Sequence, residues 1–248
     1  MDLENIKQSI VAFIKTQAGD KPVVLGLSGG LDSSVVAYLA VGALGADKVY
    51  GLILPSSTNT SEDLELAKLI AQNLGLKTYD LRLDPILQSY IQTLPDNLNK
   101  QTIGNIKARI RMTLLYAKAN ELNGLVLGTG NKTEIMTGYF TKHGDGGADL
   151  LPIGDLYKTE ERELAKYIGI PQEIISRPPT AGLWEGQTDE DELGITYEEL
   201  DKILIAIQNN RNLDEFKVSD ITLVKNLIKN SEHKRELIPI AHLSSRAE

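Results

Sequence analysis

The sequence predicts an α/β fold: one doubly wound parallel sheet with helices on both faces, formed as a single domain over residues 1–248. Three features point there. Short runs rich in valine, leucine and isoleucine alternate with segments of helical period, the order that builds strand–helix–strand crossovers. Those runs are almost continuously apolar, as strands buried on both faces are. With 42% hydrophobic and 24% charged residues over 248 positions, the chain also has an ordinary globular composition and the length for a full core.

Element by element, Leu3, Ile6, Ile10, Phe13 and Ile14 share one helical face, so an amphipathic helix covers 3–14. PVVLGLS (22–28) reads as a buried strand and LDSSVVAYLAVGAL (31–44) as the helix after it. KVYGLILP (48–55) is a second buried strand. TSEDLELAKLIAQNLG (60–75) opens with acidic residues and closes on Gly75, which suits a helix dipole and C-terminal stop. KTYDLRL (77–83), a helix over 105–124 and LVLGTG (125–130) complete the alternation. Neither a repeat nor a dividing linker interrupts it. Residues 137–155 hold five glycines and 176–194 lack periodicity, so both are expected to be long flexible loops, a class usually tied to function or disorder. Helices then return at 196–209 and 219–232.

Composition removes several kinds of chemistry. There is no cysteine, hence no disulfide, thiolate metal site, iron–sulfur cluster or cysteine nucleophile. His143, His233 and His242 stand too far apart in sequence to suggest a local metal motif. A formal net charge of −8 disfavours nonspecific nucleic-acid or anionic-membrane partners. No apolar run approaches the ~20 residues of a bilayer span. The opening MDLENIKQSI lacks the basic start and apolar middle of a secretory signal, so the expected compartment is cytoplasmic.

The strongest local signal is GLSGGLDSS, Gly26 to Ser34, at a strand-to-helix junction, where backbone N–H groups and the helix dipole can hold an anion. Gly29 and Gly30 allow positive φ and close approach to a phosphate. Ser28, Ser33 and Ser34 offer hydroxyls, and Asp32 a carboxylate suited to magnesium. No lysine follows as a P-loop requires, and the spacing is not GxGxxG. By glycine count alone, a phosphate cradle and a serine-capped tight turn remain equally open.

In its actual order, SGG-x-DSS after a first strand resembles the PP-loop of the ATP pyrophosphatases, a superfamily with an adenine nucleotide α-hydrolase-like fold. In that superfamily the loop cradles the pyrophosphate of ATP and the substrate is adenylated. NIKARIRM (105–112), LGTGNKTE (127–134), GYFTKHGDGGADLLPIGDLYKTE (138–160), LWEGQTDEDELG (183–194) and HKR (233–235) then resemble, in the same order, the ammonia-dependent NAD synthetases.

That resemblance implies roles by position. Gly26, Leu27, Ser28, Gly29, Gly30, Leu31, Asp32 and Ser33, with Thr129, Lys158 and Thr180, would bind ATP. Asp32 and Glu134 would hold Mg2+, and Asp32, Lys158 and Thr180 would serve catalysis. Arg109, Lys142, Asp149, His233 and Lys234 would bind deamido-NAD, at the interface of a homodimer. The implied reaction is adenylation of the nicotinate carboxylate, then attack by free ammonia, giving NAD, AMP and pyrophosphate. Threonine at 180 replaces a frequent serine, and Pro239 is followed by Ile240 rather than a second proline.

Without the family pattern several of these residues would read otherwise. Arg109 and Arg111 on a helix would be surface charges, Glu134 a first-turn carboxylate, and Trp184, the one tryptophan, a packing residue. Residues 185–201, with eight acidic side chains and no basic one, would be a solvated or disordered lid.

Overall fold

Valine at 23 and 24 and leucine at 25 lie in a strand whose successive side chains enter different cores. The computed structural model describes residues 1–94, 97–184 and 186–241. Among these, β1 (Val23–Gly26), β2 (Val49–Ile53), β3 (Lys77–Asp80) and β4 (Leu125–Val126) form one parallel sheet in the order β3–β2–β1–β4. Val23 stands in register with Val49 on one side and Leu125 on the other. Val23 and Leu25 join one apolar cluster while Val24 joins another, the two-residue period of a strand covered on both faces. Each such aliphatic side chain contributes about 1.5–3 kcal/mol by leaving water.

The first face is covered by α1 (Leu3–Ala18), α2 (Leu31–Leu44), α3 (Ser61–Leu74), α7 (Lys158–Tyr167) and α8 (Gln172–Ile175). The second is covered by α4 (Asp84–Thr93) and α5 (Lys100–Leu122). Beyond the sheet, α6 (Lys132–Thr137) and α9 (Asp189–Leu193) lie with α10 (Tyr197–Gln208), α11 (Val218–Asn230) and α12 (Glu232–Arg235). Tyr197, Leu200, Ile203, Leu204 and Val224 centre a third cluster there. Local chemistry sets the ends. Thr60 and Asp63 form a reciprocal capping box on α3, and Gly75 closes it in the left-handed region at φ 64°.

The parallel sheet with helices on both faces is as expected; some boundaries differ. β3 is an exposed edge rather than a buried strand, since its residues KTYD are polar and β2 alone pairs with it. Of the apolar residues read as its continuation, Leu83 is buried where α4 begins. α5 begins five residues before the expected start because the Asn99 side chain accepts from Thr102 N. β4 keeps only Leu125 and Val126, and Leu127 instead bridges Leu150 of the glycine-rich segment.

Candidate active site

Gly26 ends β1 and Leu31 opens α2, so the glycine-rich turn lies at the carboxyl edge of the sheet. β1 lies between β2 and β4: the chain leaves β1 toward β2 on one side and returns from β3 to β4 on the other, the switch in strand order where open α/β sheets form a crevice. Gly29 holds φ +79°, and a Cβ there would run into the carbonyl of Asp63 on α3. Gly30 needs no such freedom, with φ −87°. Ser34 differs from expectation: it is buried and donates to Gly30 O at 2.8 Å, closing the turn rather than facing a ligand. Ser33 donates to the same oxygen at 3.1 Å and accepts from Ser28 N at 3.3 Å. The first amides of α2 lack intrahelical acceptors and suit an anion.

Asp32, in the first turn of α2, meets Lys158 at the start of α7. Lys158 Nζ donates to both carboxylate oxygens at 2.6 Å. Asn131 Nδ2 adds a bond to Asp32 at 2.9 Å and one to Glu161 at 3.4 Å. Glu161 follows Lys158 by one helical turn, 3.5 Å from its ammonium, and its Oε1 is buried without a partner. The N-terminus of α7 is itself anchored: Thr133 accepts from Lys158 N at 3.0 Å, and Asp201 accepts from Thr159 N at 2.8 Å. A carboxylate facing helix amides is well placed against the dipole.

Glu134 completes the group through the start of α6. Asn131 and Glu134 form a capping box, in which Glu134 accepts from Asn131 N at 3.1 Å. Burial, then repulsion from Asp32, pushes the Glu134 carboxyl well above its usual range. Burial alone would do the same to Asp32, but Lys158 and its hydrogen bonds hold that carboxylate below its usual value. Burial works against the Lys158 charge as well, yet Asp32, Glu161 and Glu134 keep it raised. The ammonium therefore remains charged throughout the neutral range.

A cleft of about 960 Å³ joins this cluster to the turn, the ends of the central strands, α5 and the loops. Thr129 and Thr180 line it, Thr180 accepting from Gly182 N at 3.1 Å. Arg109, Lys142, His233 and Lys234 also line it, and the three cations tie its segments through backbone carbonyls. Arg109 donates to Lys142 O at 3.3 Å, and Lys142 to His233 O at 2.5 Å. Lys234 donates to Gly138 O and Phe140 O, both at 2.7 Å. Asp149 is the exception. Its carboxylate accepts from Tyr116 and Val126 N and does not line the cleft.

The acidic stretch also departs from a solvated lid, for it contains α9 and the first residues of α10. Asp189 is buried and accepts from Tyr139 and Tyr197, and Asp201 is buried below α7. Glu185 and His242 lie outside the described residues. Trp184 packs over Gly104, with Lys100 Nζ 5.0 Å from its ring. Sequence reasoning missed Asn131, Glu161 and Asp189 as neighbours of the site. Asn131 had a readable signal, since Asn-x-x-Glu is a capping pattern.

A glycine-rich turn at the carboxyl edge of a parallel sheet, opening on a buried lysine that its carboxylate neighbours keep charged, defines an α/β protein with a site suited to an anionic ligand. The particular family follows from comparison: the NAD synthase family model matches residues 3–238, and the chain belongs to that family. The ammonia-dependent NAD synthetase of Pyrococcus furiosus is 48% identical over 244 residues, covering 96% of this chain and 94% of its own. Two solved structures also resemble it. An NMN synthetase from Francisella tularensis superposes with TM-score 0.90 at 34% identity, covering 98% of this chain and all of its own (100%). The ammonia-dependent NAD synthetase of Campylobacter jejuni, in complex with nitrate, gives 0.85 at 32%, with 98% and 100% covered.

Proposed function

We propose that the chain, as one catalytic domain over 1–248, amidates deamido-NAD with free ammonia and ATP. One observation carries the reading: a single cleft is lined both by the glycine-rich turn with the Asp32–Lys158 pair and by Arg109, Lys142 and Lys234. Two anionic nucleotides could meet there end to end. The family relatives named above support the reaction class.

In the first step a carboxylate oxygen of the nicotinate attacks the α-phosphorus of ATP, and the bond to pyrophosphate breaks. Ammonia then attacks the acyl carbon, gives up a proton and displaces AMP, leaving the amide. The turn residues Gly26 to Ser33 and the α2 amides hold phosphate oxygens, with Thr129 and Thr180 beside them. Lys158, fixed by Asp32 and Glu161, offers a preorganised positive charge where negative charge grows on departing pyrophosphate. Bringing both reactants into one cleft removes the entropic cost of meeting.

Asp32 and Glu134 are the residues that would hold Mg2+. Two carboxylates that repel one another at the mouth of the turn fit a hard divalent cation, whose other ligands would be phosphate oxygens and water. When bound, the ion would neutralise phosphate charge. With no cysteine in the chain, a thiol glutaminase step is not available. We read His233 with Arg109, Lys142 and Lys234 as dinucleotide ligands, and Asp149 as one that serves across a homodimer interface. No helix of the described residues is long and apolar enough to cross a membrane, and a cytoplasmic biosynthetic setting fits the reading.

The Francisella relative raises a second acceptor, the deamido mononucleotide. Incubation with Mg-ATP, ammonium and each acid separately, followed by chromatography, decides between them. NAD and AMP in equal amounts support the proposal; amidation of the mononucleotide alone would transfer it to the smaller acceptor. ADP in place of AMP would refute adenylation. Glutamine should not replace ammonium, and robust turnover with it would sink the nitrogen assignment.

A further inference from the structure

Two cations on α5 have no role in the reaction as set out above, and each is unusually placed. Lys107 is 2% exposed. Its ammonium donates to Thr58 Oγ1 at 3.0 Å and to Leu183 O at 2.9 Å. Arg111, one helical turn further on, lines the cleft. Its Nε donates to Leu54 O at 3.2 Å and its Nη2 to Asn59 Oδ1 at 3.4 Å. Nη1 has no protein acceptor among the described residues.

Among those residues neither cation forms an ion pair, although the chain is acidic overall. The nearest carboxylates are engaged elsewhere: Asp84 accepts from Ser57 N and Arg82, and Asp145 from Thr141 N. Burial lowers Lys107 below its usual value, and the Arg111 charge adds to this. For Arg111, burial brings the guanidinium down to about 10. A buried ammonium beside a half-buried guanidinium, neither with a counter-ion among the described residues, is costly unless something anionic joins them. Their position narrows what that is. Leu54, Thr58 and Asn59 follow β2 at the carboxyl edge, beside the glycine-rich turn, and Leu183 lies just past Thr180. Arg111 therefore faces the nucleotide cleft from the wall formed by α5 and the segment after β2.

We propose that Arg111, with Lys107 behind it, binds a phosphate group of the nucleotide in this cleft. This second anion-binding wall rests on the nucleotide-activating reading above. Its source is either the triphosphate or the pyrophosphate bridge of the dinucleotide. With Nε on a carbonyl and Nη2 on Asn59, the guanidinium keeps Nη1 and the second Nη2 hydrogen to offer a phosphate group.

The test is calorimetric titration of wild type, R111Q and K107M with α,β-methylene-ATP, deamido-NAD and adenosine. R111Q should weaken one phosphate-bearing ligand by at least about tenfold, as loss of a charge-assisted contact does, and adenosine by less than about twofold. K107M should give a smaller loss, of about threefold, in the same ligand, because its charge acts from behind. The affected arm identifies the source of the phosphate. If wild type binds tightly and R111Q binds both nucleotides equally well, this inference falls while the function stands. An equal loss for adenosine would also overturn it, showing collapse of the wall. If wild type binds neither nucleotide, the functional reading fails first. Should R111Q not fold, R111K keeps the charge but loses the guanidinium geometry and should weaken the same phosphate-bearing ligand by about three- to tenfold. R111K binding both nucleotides as tightly as wild type would refute the inference on its own.

Discussion

Lys158→Met tests the energetic centre of the site. Methionine keeps an unbranched side chain of similar length, so the change removes charge with little loss of packing. The lysine side chain is 1% exposed and its Asp32 partner 25%. Without it, Asp32, Glu134 and Glu161 are left as three carboxylates in one cluster. Breaking a buried pair costs about 3–5 kcal/mol, which in a chain of this length lowers Tm by roughly 6–20 °C. The deficit should depend on pH. Glu134 and Glu161 have raised pKa values in the folded state, so the stability they allow is present at low pH and lost as pH rises through those values. Asp32 is lowered, so its contribution is present at higher pH and disappears in acid. The penalty of K158M should therefore be largest at neutral to alkaline pH and shrink in acid. Urea unfolding followed by circular dichroism measures it for K158M, D32N and the double variant. A coupling of at least about 2 kcal/mol is expected, because either single change strands a charge. Additivity within about 0.5 kcal/mol would refute the claim that this pair is energetically coupled.

Three further outcomes follow from the same geometry. Asp32→Ala should lower turnover by a factor of order 10²–10³, measured as AMP release under saturating ATP; near-wild-type turnover would remove Asp32 from the chemistry. Gly29→Ala places a Cβ in the left-handed region against the Asp63 carbonyl and should cost about 2–4 kcal/mol, read from the urea midpoint. Unchanged stability there would show that α2 and α3 can separate freely. Glu161→Gln removes a buried carboxyl whose raised pKa favours the folded state only at lower pH. With a chelator present, it should flatten the fall in stability as pH rises above the usual carboxylate range; an unaltered slope would place that titration elsewhere.

The parts of this molecule legible in the sequence are those with local causes. α2 spans the expected 31–44 because the glycine turn before it and Gly45 after it delimit one apolar block. β1 and β2 are readable because nothing polar interrupts them. α4 was invisible since its apolar residues are few and its start, Leu83–Asp84–Pro85, resembles a turn. α7 was obscured for another reason: its residues KTEERELAKY are mostly charged, and the faces they bury are decided by Asp32 and Asp201, distant in sequence. The site divides similarly. Asp32, Glu134 and Lys158 could be proposed from motifs, and the structure brings them together. Asn131 and Glu161 acquire their places only when α6 and α7 meet α2. Asp149 could be proposed as a ligand, but one copy of the chain turns it toward Tyr116.

The carbonyl tethers on Arg109, Lys142 and Lys234 have a consequence for encounter kinetics. Tied to neutral oxygens, these cations keep their full charge for an incoming anion, while the rest of a chain of net charge −8 repels it from a distance. An anionic nucleotide approaching through dilute buffer thus meets a repulsive exterior before an attractive interior. Added salt shortens the reach of both fields, but the outer one, acting through water, fades first. Association should accordingly speed up with moderate ionic strength and slow only at higher salt, the reverse of ordinary electrostatic steering. Stopped-flow binding across a salt series would show a maximum rather than a monotonic fall.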